Sequence, residues 1–102
     1  MTTPAFTSPD CYRPHVDETF VVHHDGGTSD FTLTAVKLHI DDEIQCCFSL
    51  FFSGAGGVLP QHLYRLSHPA LGGFDLFLVP IQKKRSGVIY EAVFNLLKDE
   101  GQ

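Results

Sequence analysis

From Gln45 to Ser53 the side chains fall into two alternating sets, Cys46, Phe48, Leu50 and Phe52 in one and Cys47, Ser49, Phe51 and Ser53 in the other. A period of two is the mark of an extended strand with one face buried, because successive side chains point to opposite sides of the pleat. Helical periodicity does not fit this stretch. The chain around it is broken at close intervals by glycine, proline and aspartate, which places many short strands in one domain rather than a few helices.

The amino-terminal region is the exception. Ser8, Pro9 and Asp10 give a capping hydroxyl, a proline at the first helical position and a carboxylate at the positive dipole end, so a short helix is expected there. Pro14 limits it to one or two turns by pushing Arg13 away from helical dihedrals. A first strand is expected at Thr19–His24, and a turn at Asp25-Gly26-Gly27. In the next segment Phe31, Leu33 and Ala35 share one phase while Val36, Leu38 and Ile40 share the other. A β-bulge near Ala35 and Val36 would keep both halves on the core. Asp41-Asp42-Glu43 turns the chain into Gln45–Ser53, and further strands follow at His62–Ser67 and Phe74–Ile81, with Pro80 marking an end or an edge. The segment Val88–Leu97 fits strand and helix patterns both; Gly87, Val88 and Ile89 favour a strand that turns helical late.

With 102 residues, 43% of them hydrophobic and 19% charged, the chain holds one core. It reads as a single β domain over residues 1–102, with 1–7 and 98–102 as flexible ends. The net charge of −5 argues against nucleic acid or an anionic membrane as partner, since both require a positive field. No run approaches the ~18 apolar residues of a membrane helix, and the start lacks a basic and apolar leader, so a cytoplasmic location is expected. Three cysteines, two of them adjacent at Cys46 and Cys47, read as reduced thiols.

Reactive groups do not gather anywhere in the sequence. Among six histidines, His23 and His24 are neighbours that point opposite ways on a strand, and His62 and His68 share a face but lie about 20 Å apart when extended. No metal and no cofactor are expected. Gly54-Ala55-Gly56-Gly57 lacks the Lys-Ser or Lys-Thr of a phosphate loop, no serine sits in a nucleophile elbow, Asp41-Asp42-Glu43 lacks calcium-loop alternation, and Lys83-Lys84-Arg85 reads as a soluble hairpin tip. The chain is expected not to be an enzyme. What stands out instead is apolar surface: Phe51, Phe77 and Val79 lie on the faces opposite the best core faces, a candidate interface for a protein partner or a second copy, such as a homodimer.

The stretch LPQHLYRLSHPALGGFDLFLVPI at Leu59–Ile81, followed by YEAVFN at Tyr90–Asn95, resembles a family of small bacterial domains of unknown function marked by LPQxxYRLxHPxLGxxDLFLVP and a YEAVFN ending. Weaker resemblance extends through Phe31–Val36 and Phe48–Gly54. The resemblance implies no enzyme activity, and implies an accessory role near phage-tail-collar-like proteins. Read physically, the same motif is a structural corner: Pro69, Gly72 and Gly73 fix the turn, the Tyr64 phenol ties down a loop, and Asp75 accepts backbone N–H groups or pairs with Arg65.

The expected fold is therefore mainly β, a small antiparallel sandwich or partly open barrel of about six strands with one short N-terminal helix. The expected function is a non-catalytic structural or adaptor module that binds protein, with no small-molecule ligand. The alternative is a small ligand-binding or catalytic barrel with His62, Tyr64, His68 and Asp75 around a pocket mouth.

Overall fold

A computed structural model describes residues 9–97. One helical turn, α1 (Pro9–Tyr12), runs into a 3-10 turn at Arg13–His15, and six strands follow: β1 (Thr19–His24), β2 (Gly27–Asp41), β3 (Gln45–Gly54), β4 (His62–His68), β5 (Gly72–Lys84) and β6 (Gly87–Leu97). The helical path carries on past Pro14, which sits at the start of the 3-10 turn, where its missing N–H has no partner to lose. Ser8 and the ends expected to be flexible, 1–7 and 98–102, lie outside the described residues. Among those described, no helix is long and apolar enough to cross a membrane.

All neighbouring strands are antiparallel, in the order β1-β2-β3-β6-β5-β4, and β4 pairs back onto β1. The fold is thus mainly β with six strands and a short helix near the N-terminus. The strands belong to one sheet that closes on itself, rather than to the two sheets of a sandwich. Its seams are uneven. β3 and β6 pair from Gln45 to Gly54, whereas β1 and β4 meet only where Val21–His23 lie against Arg65–Ser67, and β5 and β6 pair only from Val79 to Lys84.

Inward-facing side chains fill the ring. Phe20 and Val22 from β1, Phe31 and Leu33 from β2, Phe48, Leu50 and Phe52 from β3, and Tyr90 and Ala92 from β6 are all buried. Burial of this kind is the main favourable term in folding, at roughly 25 cal/mol per Å² of apolar surface. Tyr12 is fully buried and bridges β5 and β6 on the stretch where their pairing stops, its ring packing on Phe74, Phe94 and Phe48 at centroid distances of 6.3, 5.8 and 6.3 Å. Helix α1 therefore serves as a plug, and burial pushes the Tyr12 phenol well above its usual range, with Cys11 adding to the effect.

Three register shifts, two between β2 and β3 and one between β5 and β6, set which side chains face inward. The β2–β3 register shifts between Leu33 and Ala35, one residue before the expected bulge, so Phe31 and Leu33 point inward and Val36 resumes that phase opposite Leu50, but a second shift follows between Leu38 and Ile40, and both of these are exposed where β2 runs beyond the core they were expected to cover. Pro80 neither ends β5 nor marks its edge: the strand continues to Lys84, and proline sits where the β5–β6 register shifts, a place that needs no donor. β6 stays extended to Leu97, so the late helix expected there does not form; ten consecutive pairs with β3 override the ambiguous pattern.

Candidate functional site

β1 and β4 run antiparallel, and a cluster of polar side chains lies at each end of this pair. At one end the chain leaves the 3-10 turn and enters β1 through Asp17, whose φ of 75° is the sharp bend a β-strand entry needs there. Asp17 N–H donates to Leu33 O at 2.7 Å and Leu33 N–H donates to Glu18 O at 3.1 Å, so the backbone of Glu18 is fixed against β2. Its carboxylate then meets two imidazoles on a single oxygen: Oε1 lies 2.8 Å from His15 Nδ1 and 2.7 Å from His68 Nε2. The two rings meet edge to face at 4.6 Å, and Phe20 packs against His68 at 4.5 Å.

The protonation of His68 follows from its other nitrogen. Nδ1 accepts backbone N–H groups from Ala70 at 3.0 Å and Leu71 at 3.3 Å, so the imidazole proton sits on Nε2 and is donated to Glu18. These bonds hold the carboxyl of Glu18 below the usual carboxylate range, His15 first and His68 second.

Two imidazoles and a carboxylate whose ligand atoms lie within 4.8 Å of one another have the composition of a metal site. The tautomer opposes it. A metal on Nε2 would require the proton on Nδ1, facing two N–H donors, so His68 can ligate only if the 69–71 turn rearranges. The donor set as folded fits a hydrogen-bonded clasp across the short β1–β4 seam.

At the other end of the pair lies a half-open groove of about 580 Å³ lined by His23, His24, Asp25, Gly26, Leu59, Pro60, His62, Leu63 and Tyr64. Two tyrosines hold the loop that forms its wall: the Tyr64 hydroxyl donates to Pro60 O at 2.6 Å, and Leu59 N–H donates to Tyr90 Oη at 2.8 Å. Burial, then Tyr90 and Asp25, push the Tyr64 phenol up, so it remains a donor. His24 is equally committed. Its Nδ1 accepts Gly26 N–H at 3.1 Å, leaving Nε2–H to donate to Ser29 Oγ at 2.9 Å. His62 sets its ring against Tyr64 at 5.4 Å in an edge-on arrangement.

The four residues expected around one pocket mouth are thus divided. His62 and Tyr64 line the groove, His68 belongs to the clasp at the far end of β4, and Asp75 pairs with Arg65 at 2.9 Å on the outer surface. The corner residues occupy the β4–β5 connection: Pro69 lies in the turn, Gly72 takes a φ of 78°, and a Cβ at Gly73 would come within 3.3 Å of the Arg65 guanidinium. Of the candidate interface residues, Phe77 is half exposed while Phe51 and Val79 are partly covered. Sequence reading weighed His15 only as one of six scattered histidines and missed Glu18 altogether. The pairing is local, three residues apart, but its third member comes from 50 residues downstream, and no spacing rule reaches that far.

A small single-sheet ring with a packed interior, a histidine clasp and a shallow groove defines a compact antiparallel β domain. The family model for a domain of unknown function, DUF6916, matches residues 7–94, and the chain belongs to that family. No curated protein and no solved structure matches it.

Proposed function

We propose that this domain is a non-catalytic structural or adaptor module that binds protein through its outer face. The observation that carries this reading is the cross-strand pair of Leu63 on β4 and Phe77 on β5, 48% and 50% exposed, outside a ring whose interior is already filled. Val93 on β6 and Ile81 on β5 are exposed as well, at 61% and 47%. Scattered apolar side chains are ordinary, but large ones placed side by side across strands mark an interface. The resemblance to domains found near phage-tail-collar-like proteins fits this reading, because accessory parts of such assemblies act by docking.

The alternative of a small-ligand or catalytic pocket draws on the groove, where His62 and Tyr64 meet. Against it, the Tyr64 hydroxyl and both nitrogens of His24 are spent on the protein's own hydrogen bonds, which leaves few groups to turn toward a substrate. The test is affinity purification of the tagged chain from the cells that make it, followed by binding of the recovered protein to purified chain. Stoichiometric binding that is lost in Phe77→Ser supports the module. A small molecule held in the groove, seen by native mass spectrometry with no protein bound, overturns it.

A further inference from the structure

We propose that β6 takes an extended segment of a partner protein as an added strand, along its edge from Ala92 to Leu97. This rests on the protein-binding reading above and names the site and the conformation of what it binds. On one side β6 pairs with β3 from Val88 to Leu97. On the other, its last pair with β5 is Glu91 opposite Val79, and the part of β5 that would continue the seam, Gly72–Leu78, pairs with β4 instead. Among the described residues no backbone group bonds to Ala92–Leu97 from that side. In an antiparallel strand every second residue turns both its N–H and its C=O the same way, so this stretch holds out a row of donors and acceptors. Only another extended backbone matches such a row, which is the basis of recognition by strand addition.

The edge is also undefended. Natural sheets blunt an exposed edge with charged side chains, proline or a bulge, because a bare one pairs with strands it should not meet. None of these devices is present from Ala92 to Leu97: the sequence has no charge and no proline there, and the pairing with β3 runs through ten pairs without a shift. They occur instead where β5 and β6 are already paired, as Pro80 with its register shift and as Lys83, Lys84 and Arg85 at the tip. Asn95, the one polar side chain of the stretch, accepts the Cys47 thiol of β3 at 2.8 Å.

The side chains around the opening define what fits. Continuing the register of Val79 and Glu91 by two residues sets Phe77 opposite Val93, and these flank the opening on the outer face at 50% and 61% exposed. On the inner face the Tyr12 ring already lies against Phe74 and Phe94. An added strand therefore sets its outward residues beside Phe77 and Val93 and its inward residues over Tyr12. The matching segment is uncharged and alternates large apolar or β-branched residues with small ones.

The probe is a library of short random peptides displayed on yeast, selected on the purified chain and then synthesised. The expected binders are uncharged and alternating. Hydrogen exchange followed by NMR should show every second amide from Ala92 to Leu97 exchanging rapidly in the chain alone and slowly once peptide is bound. Methylating alternate peptide nitrogens should abolish binding in one phase and spare it in the other, which contact through side chains alone would not do. Val93→Lys puts a charge at an exposed position of the edge and should weaken the peptide about tenfold, while circular dichroism shows the variant folded. A selection that yields no such peptide, peptides that leave these amides unprotected, or Val93→Lys binding as tightly as wild type overturns the proposal. Amides already protected in the chain alone overturn it too, with the cover coming from the chain itself if protection ignores concentration and from a second copy if it grows with it. A partner protein lost in Phe77→Ser but indifferent to Val93→Lys ends the added-strand inference and leaves the protein-binding reading standing.

Discussion

His68 donates from Nε2 to Glu18 Oε1 across 2.7 Å, joining the last residue of β4 to the residue before β1. The bond crosses the β1–β4 seam, which is paired only at Val21–His23. Its partner on the same seam, His23 Nε2 to Ser67 Oγ at 3.1 Å, is a weaker neutral contact. One carboxylate therefore carries the polar fastening at the end where the ring closes, and it also anchors the turn that delivers Tyr12 into the core.

This makes stability depend on the charge of Glu18. Its folded carboxyl is held below the ordinary carboxylate range by His15 and His68, so the unfolded chain takes up that proton more readily. The contribution is present in full above the ordinary value of about 4.3 and is lost as pH falls through the lower, folded value. Glu18→Gln should melt below the wild type at pH 7, and the gap should narrow as the pH falls below the ordinary carboxylate value. Hydrogen exchange at pH 7 should show the amides of Val21–His23 opening sooner in the variant, with β3 and β6 unaffected. A melting gap that ignores pH would assign the effect to packing instead.

How far the fold could be read from residues depended on how local its causes were. The β1 boundaries, Thr19 and His24, coincide with the sequence expectation because turn residues flank a short run of aromatic and β-branched residues. The bulge in β2 was legible from a phase slip in the side chains, and it fell one residue away. Pro80 and the end of β6 misled, since in both cases pairing with a distant strand outweighs a local preference. The clasp lay beyond reach for a different reason: Glu18 looks like any solvated acid until the chain returns His68 to it. The groove was half legible, because His62 and Tyr64 are on one strand, while His23 and His24 arrive from β1.

Tyr12 and Arg65 separate what is structural from what is superficial. Tyr12 is fully buried among Phe48, Phe74 and Phe94, so Tyr12→Ala removes the plug and leaves a cavity between β5 and β6. The expected loss is about 3–5 kcal/mol in urea unfolding. Arg65 pairs with Asp75 at 2.9 Å, but its side chain is 53% exposed, and Arg65→Ala should cost no more than about 1 kcal/mol. Equal losses in the two variants would mean that the helix does not seal the ring.

Gly72 and Gly87 both take positive φ, 78° and 151°, yet they should respond differently to the same substitution. Around Gly72 nothing lies within 4 Å of an added Cβ, so Gly72→Ala meets only the left-handed backbone penalty, about 1 kcal/mol. At Gly87 the Cβ would run into the carbonyl of Gly54, backbone on the adjoining β3, which cannot rotate away as a side chain does. Gly54 has no slack of its own, because a Cβ there would stand 2.6 Å from the Phe31 ring, and that ring is stacked on Tyr90 at 4.6 Å. Relief at Gly87 must therefore displace β3 against the core, and Gly87→Ala should cost about 2–4 kcal/mol. Urea titration of both variants, with unchanged slopes, checks the contrast; a Gly87→Ala loss no larger than that of Gly72→Ala would show that the β5–β6 tip moves freely over β3.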